Sequence, residues 1–405
     1  MITCVIGGGA GGMMAALTAS KKGNQVILLE KNEKLGKKVY ITGKGRCNLT
    51  NNSPVNEFIQ NVIVNNKFLF SALNTLSPFE TMQFFEDLGL KLKVERGNRV
   101  FPECDKSSAV IKCLENALIK NSVDVRLNCN VSKIIKKDDQ SFLVVTNDGQ
   151  INCNSVIVAT GGLSYPLTGS TGDGYNFAKS LGHTIVPLRP SLVGIELQGD
   201  AYKKVQGLSL KNVKVSIFNQ QKLVYSDFGE MLFTHFGVSG PIILSSSCII
   251  NKLDLSSLDL FIDLKPALTN EVLEQRIIRE CQTYHNKSIS NMLKELLPKS
   301  LIEVVLNSAQ ISTSKVCSNL TKEERAKLVI TLKGLKFKVK KLRPIEEAIV
   351  TSGGVCVKEI NPKNMESKLV KGLFFCGEVI DVDAFTGGYN LQIAFSTGYL
   401  AGLNC

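Results

Sequence analysis

The chain has 405 residues, of which 44% are apolar and 21% charged, with a mean hydropathy of +0.08. At roughly 150 residues per domain this is two or three domains, each large enough to bury its own core, and the composition excludes disorder and fibrous repeats. Forty-eight Lys and Arg against 36 Asp and Glu leave a formal charge of +12, which asks for an anionic partner: nucleic acid, an anionic membrane or a phosphate-rich ligand.

The first predicted element is the β-branched apolar run Ile2–Ile6, the kind of strand buried in a parallel sheet. It leads directly into a G-x-G-x-x-G at Gly7, Gly9 and Gly12, and then into a helix from Met13 to Lys22 that Gly23-Asn24 ends. Gly7 permits a tight turn, Gly9 lets a pyrophosphate approach the backbone, and Gly12 lets the helix pack closely on the strand. The helix N-terminus turns its dipole and free N–H groups toward the phosphates. A second strand, Gln25–Leu29, delivers Glu30, whose carboxylate is placed to accept both hydroxyls of an adenosine ribose. Strand, glycines, helix, strand and acid in that order predict a dinucleotide site without choosing between NAD and FAD.

Residues 31–52 carry glycines at 36, 43 and 45 and cations at 34, 37, 38, 44 and 46. This predicts a loop too polar for a helix or core strand, wrapped round a pyrophosphate. Leu143–Thr146, Asn147-Asp148-Gly149 and Ile151–Cys153 form a predicted hairpin, followed by the buried strand Val156–Ala159 and Thr160-Gly161-Gly162. Near the far end, the buried strand Gly372–Cys376 ends in Gly377-Glu378. Gly387 to Gln392 then open a helix that runs to about Gly402. Its N-terminal amides suit the charge that develops at N1 and C2=O of a flavin, a need nicotinamide lacks, so the residues favour FAD.

The strings GGGAGG, EKNEKLGKK, GKGRCNLTN, ATGGLSYPLTGSTGDG, LFTHFGVSGP, EAIVTSGGV and GEVIDVDAFTGGYNLQIAFSTGYLAG, in order over essentially the whole chain, resemble the BaiN/YhiN-type flavoproteins, also labelled aminoacetone oxidase-like or NAD(P)/FAD-dependent oxidoreductases. The resemblance implies an α/β glutathione-reductase-type FAD/NAD(P)-binding Rossmann-like fold, interrupted by an insert domain with a β-barrel-like and a helical part. It implies FAD contacts at Gly7, Gly9, Gly12, Glu30, Lys31, Gly36, Lys37, Arg46, Cys47, Asn48, Thr160, Gly161, Gly377, Glu378, Asn390, Leu391 and Gln392, with the backbone of Val131 near the adenine. One departure is Lys44, where the family often has glycine.

Leu-Arg-Pro at 188–190 and again at 342–344 marks where the chain leaves one domain and returns. This gives a split FAD-binding domain, 1–188 and 344–405, round an insert of 189–343 that is β-rich with a helical segment over 270–328. The insert holds no second G-x-G-x-x-G after a strand, so it reads as shaping the substrate cavity rather than as an NAD(P)H domain.

Twelve cysteines include no C-x-x-C pair and no Cys/His cluster at zinc spacing, which argues against a disulfide framework and assigns no metal. Those in apolar runs read as reduced core residues of a cytoplasmic protein. No run approaches the roughly 18 apolar residues of a membrane span, so no membrane partner is expected.

Three residues are candidates for the chemistry. Tyr165 is a proton donor or a residue that shields the flavin. His235, in the turn-rich Phe233–Pro241 segment, is either a substrate-contacting acid/base group or a histidine bonded to backbone. Arg99 holds a carboxylate or carbonyl oxygen, or is an exposed hairpin arginine. His183, at a helix C-terminus, reads as a cationic cap. Cys47 lacks a second cysteine nearby, which disfavours dithiol chemistry.

The expected function is an FAD-dependent oxidoreductase acting on a small organic substrate, by NAD(P)H-driven reduction of a carbonyl-activated C=C bond. An O2-dependent amine or aminoketone oxidase is the alternative on the same fold. An RNA-binding or RNA-modifying flavoprotein is the alternative of another class, suggested by the six cations of residues 331–343. There Lys336, Lys338 and Lys340 alternate with Phe337 and Val339, as in a strand with one solvated face, and stacking aromatics are scarce, so a nucleic-acid partner is not favoured.

Overall fold

The computed structural model describes residues 1–405, which divide into two units: Met1–Ser191 with Ile345–Cys405, and Leu192–Pro344.

The first unit is organised by a five-stranded parallel sheet in the order Leu373–Phe375, Ser155–Val158, β1 (Ile2–Ile6), β2 (Gln25–Leu29) and Asp124–Arg126. At its centre Val5 lies opposite Leu28 on one side and Ile157 on the other. The three inner strands and the edge strand Leu373–Phe375 are almost wholly buried, as expected of parallel strands covered on both faces.

After β1 comes α1 (Ala10–Lys21), in which ten residues are buried, so the helix is apolar all round rather than along one stripe. It packs on the C-terminal helix Tyr389–Asn404, and glycine sets the distance between them. A Cβ on Gly398 would land on the carbonyl of Gly11, and one on Gly402 on the carbonyl of Ala15. A Cβ on Gly12 would overlap the carbonyl of Gly7, which is the close helix–strand approach the third fingerprint glycine predicts.

The segment after Glu30 corrects one expectation. Instead of an uninterrupted loop it holds α2 (Lys37–Ile41), a 3-10 turn over Thr42–Gly45 and the short strand Thr50–Asn51. Gly36, at φ 66°, turns the chain against the side chain of Ile111, and α2 buries Val39. A helix of five residues with one buried position has no periodicity to read. Gly43, Lys44 and Gly45 follow at φ 58°, 57° and 83°, so Lys44 holds a left-handed conformation that glycine adopts freely.

The strand Ile185–Ser191 pairs antiparallel with Val350–Val355, Ser191 opposite Val350. The chain therefore leaves the first unit and returns to it at the end of a single two-stranded ribbon.

The second unit holds a closed six-stranded antiparallel barrel, in the order Ile195–Leu197, Gly237–Ser239, Lys222–Phe233, Ser209–Asn219, Leu258–Asp263 and Leu335–Leu342. The helices Asn270–Thr283, Lys299–Ser308 and Lys322–Lys333 accompany it; Thr269 caps the first, and a Thr321/Glu324 capping box starts the last. Strand Leu335–Leu342 buries Leu335, Phe337, Val339 and Leu342 and exposes its four lysines. Lys336 and Lys338 lie 2.8 and 3.5 Å from Asp259, and Lys341 and Arg343 lie 3.7 and 2.8 Å from Glu196. No helix of either unit is long and apolar enough to cross a membrane.

Candidate cofactor and active site

The glycine loop ends at Gly9, which caps α1 without a side-chain bond, and the first turn of the helix holds no acidic residue. A Cβ built on Gly9 meets nothing within 4 Å, so open space lies directly at the end of a twelve-residue helix. That is the cradle an anionic pyrophosphate requires.

Glu30, at the end of β2, is 8% exposed. Its Oε2 accepts from the Gly8 N–H (2.7 Å), and its Oε1 accepts from the N–H and Nδ2 of Asn32 (2.8 and 2.6 Å). Three of about four acceptor positions are thus filled by the chain itself, which fixes the carboxylate at the end of β2. Asn32, which sequence reasoning passed over, also accepts from Lys37 Nζ (3.3 Å) and donates to the carbonyl of Thr168 (3.1 Å). The N–H groups of Cys129 and Asn128 bond the carbonyls of Glu30 and Asn32 (both 3.0 Å), which brings the backbone leading into Val131 beside the acid.

The cations of this region face the protein's own carboxylates. Lys31 pairs with Asp173 (2.6 Å) and bonds the Thr171 hydroxyl; Lys37 pairs with Glu33 (3.3 Å). Arg46 donates from Nε and Nη2 to Asp105 (2.8 and 2.6 Å), pairs with Glu95, and lies 4.2 Å from the centre of the Phe101 ring. Its guanidinium holds Glu95 below the usual carboxylate range; Lys93, with Arg46, does the same for Asp105. Both the Lys31 and the Arg46 side chains are thus held by carboxylates.

Cys47 sits at φ 59° and is fully buried, and burial pushes its thiol up to about 12. At neutral pH it is a thiol, not a nucleophilic thiolate. The neighbouring Asn48, with its amide oxygen turned to Gly388, accepts from that N–H (3.0 Å) and donates to the carbonyls of Thr50 and Val100 (3.1 and 3.3 Å). It ties the 43–48 turn to the start of the C-terminal helix.

That helix begins at Gly388, φ 98°, whose missing Cβ makes room for the backbone of Thr50, and its first turn holds no acidic residue. Asn390 staples the preceding loop, accepting from Ala384 N–H (3.0 Å) and donating to Ala384 and Phe385 carbonyls (2.8 and 3.3 Å). Leu391 packs half-buried against the core. The side chain of Gln392 is engaged within the protein. It is fully buried, accepts from Thr50 (2.6 Å), and donates to the Leu76 carbonyl and to the hydroxyls of Thr81 and Ser396 (3.0, 2.7 and 2.8 Å).

Gly377, at φ 73°, lies beside Gly11, and Thr160, followed by Gly161 at φ 73°, lies beside Gly7. The Thr160 hydroxyl is buried with no hydrogen-bond partner. An open glycine and two helix N-termini free of acid fit an anionic dinucleotide.

Of the catalytic candidates, Tyr165 adopts φ 53° and lines a cleft of about 510 Å³ with Lys34, Lys37, Tyr40, Ile41, Leu167 and Glu346. Burial, with a smaller push from Glu347, raises its phenol above the ordinary value, so it keeps its proton at neutral pH. Arg99 is exposed and donates to the Arg96 carbonyl (3.0 Å); it is not among the residues lining the cleft. His235 belongs to the second unit, where it is exposed and stacks edge-on against Phe236 at 5.1 Å. His183 is not a cationic cap. It is 4% exposed, bonds Ser367 through Nε2 (2.8 Å), places Nδ1 3.3 Å from Glu359, and packs on the Phe375 ring. Burial holds it below the usual histidine range despite that carboxylate.

The family model described as HI0933-like protein Rossmann domain matches residues 1–404. Over 405 residues the chain is 31% identical to the 3-dehydro-bile acid delta(4,6)-reductase of Clostridium scindens, covering 98% of this chain and 97% of that protein. Over 408 residues it is 31% identical to the ribosomal RNA dihydrouridine synthase of Haemophilus influenzae, covering 99% and 97%. Among solved structures, the 3-ketosteroid delta1-dehydrogenase of Sterolibacterium denitrificans shares the fold with a TM-score of 0.54 at 14% identity, covering 99% of this chain and 98% of that one.

Proposed function

The chain belongs to the HI0933-like family and is a flavin-dependent oxidoreductase, and on that premise we propose that it binds FAD and reduces a carbonyl-activated C=C bond of a small organic substrate with electrons from NAD(P)H. The observation that carries the reading is the full-length likeness to the C. scindens reductase, whose name describes reduction of a double-bond system beside a 3-oxo group. The H. influenzae relative points to the same bond type, since dihydrouridine differs from uridine by saturation of the C=C bond conjugated to a carbonyl.

When bound, FAD supplies the hydride-transferring N5 centre. The residues supply the rest. Gly9 and the α1 N-terminus receive the pyrophosphate, and Glu30 with Asn32 orients the adenosine ribose. The acid-free first turn of helix Tyr389–Asn404 favours negative charge at the ring's pyrimidine edge. Tyr165 holds a proton at its phenol oxygen, ready to donate to a substrate oxygen.

A second reading takes the uracil base of an RNA as the substrate; the charge of +12 and the H. influenzae relative favour it. One experiment separates the readings. Anaerobic mixing with NADH or NADPH should bleach the flavin absorbance, and a cyclic enone should restore it. Restoration by uridine-containing RNA alone, with a mass gain of two hydrogens in the RNA, would establish the second reading. A flavin that neither nicotinamide bleaches would sink the proposal.

A further inference from the structure

We propose that Lys38 is a positioning residue that neutralises Glu378 at the edge of the cofactor site and thereby sets FAD affinity and flavin potential; the proposal rests on the FAD reading above. Four segments remote in sequence meet at one carboxylate. Lys38 Nζ, from α2, donates to Glu378 Oε2 and to Ser164 Oγ, both at 2.6 Å. The Ser164 hydroxyl donates to Glu378 Oε1 (2.9 Å), and the Thr351 N–H donates to the same oxygen (2.8 Å). Thr351 Oγ1 in turn accepts from the N–H groups of Leu163 and Ser164 (2.8 and 3.2 Å).

Ser164 and Thr351 are buried, and the side chains of Lys38 and Glu378 are only 22% and 18% exposed. Both oxygens of this enclosed carboxylate are therefore met by donors from elsewhere in the chain. Its place gives it consequence. The neighbouring Gly377 lies beside Gly11, with its Cα 3.6 Å from the point a Cβ on Gly11 would occupy. Glu378 Oε1 lies 3.1 Å from the corresponding point on Gly162. The carboxylate thus lies against the Thr160–Gly162 turn, one residue from the glycine that packs on the first turn of α1, and both segments border the site proposed for a cofactor that carries two phosphate charges. An unneutralised carboxylate there repels the pyrophosphate and opposes the negative charge a flavin gains on reduction. The ammonium of Lys38 removes that repulsion.

The test is FAD affinity and flavin midpoint potential, measured on the holoprotein and on reconstituted apoprotein. Lys38→Met should weaken FAD binding by about tenfold or more and lower the potential, because it leaves the carboxylate's charge without a counter-charge. Glu378→Gln should raise the potential, and the double variant Lys38→Met/Glu378→Gln should return both quantities close to wild type. Lys38→Arg should keep them. A purely structural tie would weaken binding in both single variants and worsen in the double. That pattern, or no change in Lys38→Met, overturns the proposal while leaving the FAD reading intact. Wild-type protein that retains no FAD overturns both. Should Lys38→Met fail to fold, the Glu378→Gln and double variants still decide the sign.

Discussion

His183 shows how far a side chain's chemistry depends on neighbours that sequence order does not reveal. Its position after Leu181-Gly182 resembles a helix end, where a cation is welcome, yet Ser367, Glu359 and Phe375 enclose it from segments more than 170 residues away. Burial lowers its proton affinity in the fold below the ordinary value of about 6.5, so the unfolded chain binds the proton more tightly. Its contribution to stability is therefore complete above that value and is lost as pH falls through it. The melting temperature should fall on acidification from about pH 7 to about pH 5, and His183→Gln should flatten that part of the profile. An unchanged slope in the variant would remove His183 as its source. The same limit applies to Asn32, Lys38, Ser164 and Thr351. Each is an ordinary polar residue in its own stretch and acquires a role only from partners the fold brings to it.

At the level of elements, the strand–glycine–helix–strand–acid unit was legible because all its determinants lie within 30 consecutive residues and each glycine has a local steric reason. The helix Lys37–Ile41 was not, being shorter than two turns with one buried position. The glycines divide by what stands where a Cβ would go. Gly9 faces open space at φ −82°, which any L-residue tolerates, whereas Gly398 meets the backbone of Gly11. Gly9→Val should leave the apoprotein's melting temperature nearly unchanged and abolish FAD retention. Gly398→Val should force the two helices apart and cost about 1–3 kcal/mol of stability or more. Thermal melts of apoprotein beside flavin content after gel filtration read both; equal destabilisation by the two substitutions would refute the division.

For the molecule as a whole, the two-stranded ribbon Ile185–Ser191/Val350–Val355 makes residues 192–344 an insertion with both ends at one place on the first unit. Replacing them with a Gly-Ser linker of about six residues should leave a protein that melts cooperatively and stays yellow, since its parallel sheet and glycine loop lie wholly outside the excised stretch. Loss of the cooperative transition would show that the first unit does not fold alone. The sheet's strand order also bears on how the chain is made. β1 and β2 leave the ribosome well before some of their partners: β1's neighbour Ser155–Val158 gains its own outer partner only with Leu373–Phe375, and α1 is covered only once Tyr389–Asn404 has emerged. The glycine loop is thus translated long before it reaches its final surroundings. Until helix Tyr389–Asn404 emerges the nascent chain exposes the apolar flank of α1, so productive folding depends on how that flank is shielded in the meantime.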